Sequence, residues 1–196
     1  MIQLPEHPRL FVAVELDGHV RAALDRIQHE LQRDRLHGLR WVRPEGIHLT
    51  LKFLGETPRE KVPDITQALP ASTAGVPPHE LALGKLGTFG SRNAPRVLWV
   101  DLEGDLTSLL RLQEQVERAL VPLGFPRDGR RFSPHLTLAR VRPEEARSAA
   151  GPLAQALSAV RATRAAIEVR EVSLMLSKLG PGGSVYTQLE AFPLAG

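Results

Sequence analysis

The sequence predicts an α+β protein made of two pseudo-symmetric lobes. Three observations predict it. The stretch "GIHLTLKFLG" (46–55) sets a His-x-Thr into what otherwise reads as a buried strand, and "SPHLTLARV" (133–141) does so again. Each is preceded by a similar strand, "RLFVAVELDG" and "RVLWVDLEG", and by an amphipathic helix. The spacing also matches, since Gly18 to His48 is 30 residues and Gly104 to His135 is 31. Strand, helix and His-x-Thr strand therefore recur about 87 residues later. Two copies are too few for a solenoid and suit two lobes, so residues 1–196 read as one domain with repeat units at about 9–56 and 96–141.

Each element follows from local pattern. Residues 9–16 form a β-branched and aromatic run ended by Asp17-Gly18, a strand. From 19 to about 34 the apolar residues Val20, Ala23, Leu24, Ile27 and Leu31 recur at helical spacing. "LRWV" and a Pro-Glu-Gly turn lead into the strand 47–54, and a helix is expected over 60–69. "PASTAGVPP" reads as a loop, a strand over 81–86 follows, and "GTFGSRNAP" reads as a second loop. The second unit repeats the plan with a strand at 96–104, a helix over 106–120 and a basic, turn-rich "PLGFPRDGRRFSP" before its His-x-Thr strand. The tail predicts a helix over 152–162, one long strand over 166–176, the turn "LGPGGS" and a last strand, "VYTQLEAF".

Composition narrows the chemistry. The chain has no cysteine, which excludes disulfides and cysteine-based zinc sites. No apolar run approaches the roughly 20 residues of a membrane span, and the first residues lack the pattern of a secretory leader, so a soluble cytoplasmic protein is the expectation. The net charge is +3 and the pI about 9.8, with Arg far outnumbering Lys. Arg favours bidentate phosphate contacts, although genome composition alone can also enrich it.

Side chains two apart on a strand share a face, about 6.5–7 Å apart. Simple alternation puts His48 and Thr50 on one face and Leu49, Leu51 and Phe53 on the other, with His135 and Thr137 likewise opposite Leu136 and Leu138. Alone, either motif reads most plainly as the solvated face of a half-exposed strand. Repetition at matched positions changes that reading: two lobes packed about a pseudo-twofold axis would bring two imidazoles and two hydroxyls to one cleft. A metal site lacks a third ligand, because no carboxylate shares these faces. A Ser-His-Asp triad has no reason to be duplicated. Two histidines about one centre suit in-line displacement at phosphorus, one taking a proton and the other giving one. The threonine hydroxyls would hold non-bridging oxygens, and no metal or cofactor is then needed.

At these residues the chain resembles the 2H phosphoesterase superfamily, with its paired His-x-Thr-x motifs, and within it the bacterial and archaeal RNA 2′,3′-cyclic phosphodiesterases, also called 2′-5′ RNA ligases. The resemblance extends over "RLFVAVEL", "WVRPEGIHLTLKFLGE", "PRVLWVDLEG", "RRFSPHLTLARV" and "LGPGGSVYTQLEAFPL". It implies a bilobal fold with antiparallel sheets and outer helices around a central cleft. It implies hydrolysis of a terminal 2′,3′-cyclic phosphate to a 2′-phosphomonoester, with His48 as proton donor and His135 as proton acceptor. It also implies a reversible 2′-5′ joining of RNA ends. The partners implied are RNA ends, tRNA fragments among them, or cyclic nucleotides, met by a monomer away from membranes.

Other residues carry weaker signals. The family pattern carries a basic residue five before the second histidine, which favours Arg130 as a phosphate ligand; alternation favours Arg131, with Pro134 disturbing the register. Lys52 continues the His48/Thr50 face but reads more simply as a surface lysine at a strand end. Phe89, Trp99 and Tyr186 are candidates for base stacking, with core or hairpin packing the plainer reading. His7, His19, His29, His37 and His79 are given no role, and the glycine-rich stretches match no phosphate-binding loop. A non-catalytic nucleotide- or RNA-binding module on the same fold, and a phosphodiesterase for a small cyclic nucleotide, are the alternatives.

Overall fold

One antiparallel nine-stranded sheet carries both halves of the chain. The computed structural model describes residues 3–33, 36–160, 164–180 and 183–196. Its strands are β1 (Arg9–Val14), β2 (Leu39–Trp41), β3 (Leu49–Glu56), β4 (His79–Ser91), β5 (Ala94–Gly104), β6 (His135–Val141), β7 (Ala166–Val169), β8 (Glu171–Gly180) and β9 (Gly183–Pro193). They run in the order β7-β4-β5-β6-β3-β1-β8-β9, with β2 paired to β6 beside that path. The order is a palindrome in structural role. β6 and β3 meet at the centre, β5 and β1 flank them, then β4 and β8, then β7 and β9.

The two long helices occupy matched places. In α1 (Gly18–Arg33) the buried Val20, Ala23, Leu24, Ile27 and Leu31 form one stripe. In α4 (Leu106–Leu120) Leu109, Leu112, Val116 and Leu120 do the same. Asp105 caps α4, its carboxylate accepting from the Ser108 amide at 3.0 Å. These stripes cover the face of the sheet that carries Leu10, Val12, Val14, Leu49, Leu51, Leu98, Val100, Leu136 and Leu138 in one continuous core. Each fully buried leucine or isoleucine there contributes about 1.5–3 kcal/mol by leaving water. The opposite face of the sheet is left for the polar residues. None of the helices among the described residues is long and apolar enough to cross a membrane.

Four expectations need correction. The strand over 81–86 is the middle of the 13-residue β4, and "GTFGSRNAP" is no open loop but part of a long hairpin with β5. Its glycines are there for close packing, since a Cβ on Gly87 would collide with the Trp99 ring. "PASTAGVPP" begins with a helical turn, α3 (Pro70–Thr73), just after α2 (Val62–Ala68). The helix expected at 152 starts earlier, as α5 (Ala146–Ala159), with Pro152 inside it. Burial of Ala146, Ala149, Leu153 and Ala156 along one stripe outweighs the lost proline hydrogen bond; residues 161–162 of the expected helix lie outside the described residues.

The long strand over 166–176 is two strands divided at Arg170, β7 pairing with β4 and β8 with β1. A single residue joins strands far apart in the sheet order, so the sheet must curl upon itself. Of the expected turn "LGPGGS", Pro181 and Gly182 lie outside the described residues.

Candidate active site

The two His-x-Thr segments meet at their middle residues. Leu49 of β3 pairs with Leu136 of β6, and both are buried in the core. In an antiparallel pair this register sets His48 beside Thr137 and Thr50 beside His135, all four on the face opposite the leucines. All four are half-buried. His48 and His135 are then diagonal neighbours, with backbone positions about 7–8 Å apart.

Each ring is held by the carbonyl two residues before it. His48 Nδ1 donates to the Gly46 carbonyl at 3.0 Å, and His135 Nδ1 donates to the Ser133 carbonyl at 2.8 Å. A carbonyl can only accept, so in both rings Nδ1 carries a hydrogen and Nε2 is the nitrogen that titrates. Aromatic rings fix the rest. Phe11 stacks on His48 with centroids 4.6 Å apart, and Tyr186 meets it edge-on at 4.9 Å. Phe89 meets His135 edge-on at 4.7 Å and is itself backed by Trp99 at 5.1 Å.

These surroundings disfavour the charged imidazole. Burial pushes His48 down to about 4; the Gly46 carbonyl opposes this, and the proximity of His135 adds to it. Burial also holds His135 below the ordinary histidine value, against the Ser133 carbonyl and with the Arg140 guanidinium lowering it further.

Two matched β-bulges decide what else reaches this face. Between β1 and β3 the register passes from Val12↔Lys52 to Ala13↔Thr50, so Leu51 is an extra residue. Between β5 and β6 it passes from Leu98↔Ala139 to Trp99↔Thr137, so Leu138 is extra. Each bulge reverses the alternation beyond it. On β3, Lys52 turns to the core side, and Phe53 comes to the polar face, 65% exposed and 6.1 Å from Phe11. On β6, Ala139 turns into the core and Arg140 comes to the polar face.

The paired motifs on the two halves of one sheet agree with comparisons to known proteins. The family model for LigT-like phosphoesterases matches residues 14–99 and again residues 100–186. The chain belongs to the LigT-like phosphoesterase family. A protein of Archaeoglobus fulgidus named RNA 2′,3′-cyclic phosphodiesterase is 36% identical over 94% of this chain and 99% of its own. A protein of the same name from Geobacillus stearothermophilus is 35% identical over 95% of this chain, which spans 57% of that relative's length. Among solved structures, that of TT0787 from Thermus thermophilus superimposes with a TM-score of 0.75 at 32% identity, covering 95% of this chain and 97% of that one.

Within this LigT-like fold the remaining candidates divide. Lys52 neither continues the histidine face nor lies on the surface. Its ammonium is buried, 2.6 Å from Glu117 of α4, and donates to the Pro126 carbonyl at 2.8 Å. Phe53, expected on the leucine face, is on the histidine face. Phe89 and Tyr186 contact the histidines directly, and Trp99 supports Phe89. Arg130 is exposed, its side chain 3.7 Å from Asp128, and Arg131 is exposed without a partner among the described residues. Neither makes a hydrogen bond or ion pair with the histidine pair. His19, His29 and His79 bond backbone carbonyls of Ala166, Asp25 and Pro77. Arg140 escaped the sequence reading because strict alternation assigns it to the leucine face. An arginine at a core position was the signal that the strand must bulge.

Proposed function

We propose that the protein is an RNA 2′,3′-cyclic phosphodiesterase that opens a terminal cyclic phosphate to a 2′-phosphomonoester by acid–base catalysis between His48 and His135. The observation that carries this reading is the Leu49–Leu136 register, which sets the two His-x-Thr pairs on one face, with each Nδ1 tied to a carbonyl and neither Nε2 hydrogen-bonded among the described residues. Water attacks phosphorus and gives its proton to His135 Nε2. The P–O3′ bond breaks, and O3′ takes a proton from His48 Nε2. Donor and acceptor are assigned by the family resemblance. Thr50 and Thr137 donate to the non-bridging oxygens, and Arg140, close enough to influence His135, adds positive charge. Arg130 and Arg131 stand on the loop before the second motif as further phosphate ligands once RNA is bound.

His48 is neutral in the free protein at pH 7, since burial holds it at about 4. The cyclic phosphate anion brings the missing counter-charge, which raises both histidines and lets His48 enter the reaction protonated. With an RNA 5′-hydroxyl in place of water, the same ring opening forms a 2′-5′ linkage as the P–O3′ bond breaks, and attack of O3′ on that linkage returns the cyclic phosphate and the 5′-hydroxyl. The chain acts as a cytoplasmic monomer, its 9–56 and 96–141 units forming one domain around one site. The test is incubation with RNA ending in a 2′,3′-cyclic phosphate. A 2′-phosphate end is expected; a 3′-phosphate end, or an unchanged cyclic end, would refute the reading.

A further inference from the structure

The two arms of this near-symmetric face differ in charge. Beyond the bulge of β3 the arm carries Phe53, with Phe11, Met175 and Tyr186 packed behind it. Beyond the equivalent bulge, β6 carries Arg140, and Arg142 follows just past the strand's end, its extended backbone continuing the register as its amide donates to the Gly38 carbonyl at 2.8 Å, so it lies about 6.5 Å further along the same face. The neighbouring strand β2 places Arg40 directly opposite Arg140. The flanking residues fix the facing, since Leu39, Trp41, Ala139 and Val141 all pack against the core. Arg40, Arg140 and Arg142 are exposed, and none has a carboxylate partner among the described residues. Glu145, which follows β6 closely in the chain, accepts from Ser148 instead.

Like charges directly opposite each other on paired strands repel and are normally avoided. Here a third arginine joins the pair, and the row begins where His135 and Thr137 end. We propose that Arg40 and Arg142 bind backbone phosphates of the RNA chain upstream of the reacting end. The strand then leaves the site over β6 and β2, and the chain direction is set on a scaffold that is otherwise nearly symmetric. An anion between Arg40 and Arg140 relieves their repulsion, and the Arg fork suits phosphate oxygens. Arg140, nearer His135, belongs to the reacting phosphate. This inference rests on the RNA-end reading above.

The test compares two substrates, a short RNA oligonucleotide ending in a 2′,3′-cyclic phosphate and a nucleoside 2′,3′-cyclic phosphate with no other phosphate. For the double variant Arg40→Ala/Arg142→Ala, kcat/KM on the oligonucleotide should fall on the order of tenfold, mostly through KM. The slope of log kcat/KM against log salt should flatten by about 1.4, for two lost single-strand phosphate contacts. Turnover of the mononucleotide should change less than about twofold, within the effect expected of distant surface charges. Arg40→Lys/Arg142→Lys should restore most of the salt slope. Equal losses on both substrates, or no loss on the oligonucleotide, would overturn the proposal while leaving the cyclic phosphodiesterase reading intact. Wild-type protein inactive on both substrates would remove that reading and this inference with it.

Discussion

His48 should make the fold sensitive to mild acid, and the size of the effect follows from its surroundings. Its ring is packed between Phe11 and Tyr186, and desolvation lowers its value from 6.5 to about 4. The folded state therefore prefers neutral imidazole, while the unfolded chain accepts a proton near 6.5. The contribution is complete above pH 6.5 and is lost as pH falls towards 4. Over the whole interval the preference is worth roughly 3 kcal/mol, of which roughly 2 kcal/mol is lost between about pH 7.5 and 5. His135, also lowered, adds loss of the same sign. The perturbation is His48→Gln, which removes the titration. It also removes the stack on Phe11, but that cost is the same at every pH and cancels in the comparison. Urea unfolding of both proteins at about pH 7.5 and 5 measures it. Wild type should lose about 2 kcal/mol more than the variant over this interval. Parallel losses in the two proteins would show that the His48 ring is not held neutral by the fold, and the electrostatic description of the site would be wrong.

Two further outcomes follow from the same geometry. Lys52→Met should cost about 3–5 kcal/mol in urea unfolding, because it leaves Glu117 buried without its partner, and adding Glu117→Leu should recover most of the loss; a single variant as stable as wild type would mean the pair is solvated. Hydrolysis of a cyclic-phosphate RNA end should survive excess EDTA, since the proposed charge stabilisation comes from Thr50, Thr137 and Arg140; activity lost on chelation and restored by a divalent ion would contradict that.

Much of this was legible in the sequence, because two periodicities were strong. The helical stripes of α1 and α4 and the alternation around Leu49 and Leu136 each point to a single buried face. The matched spacing of the motifs then brings His48, Thr50, His135 and Thr137 together. Features that break a period do not show in the pattern itself, and Arg140 at an apparent core position was the one sign of them. The bulges at Leu51 and Leu138 reverse the faces beyond them, which misassigned Lys52 and Phe53 and hid Arg140. The glycines of β4 suggested a loop because their packing partners, Asp101 and Trp99, come from another strand. The division of 166–176 at Arg170 depends on which strand each half pairs with, and a run of apolar residues does not carry that information.

The central claim is that His48 and His135 act as one acid–base unit, and a double-mutant cycle on turnover tests it most directly. His48→Ala and His135→Ala should each lower kcat on a cyclic-phosphate RNA end by at least about 10²-fold, the low end for losing a general acid or base. The double variant should lose far less than the product of the two single losses, because each residue is of little use without the other. A single variant that keeps near wild-type turnover, or a double variant whose loss equals the full product, would contradict the account.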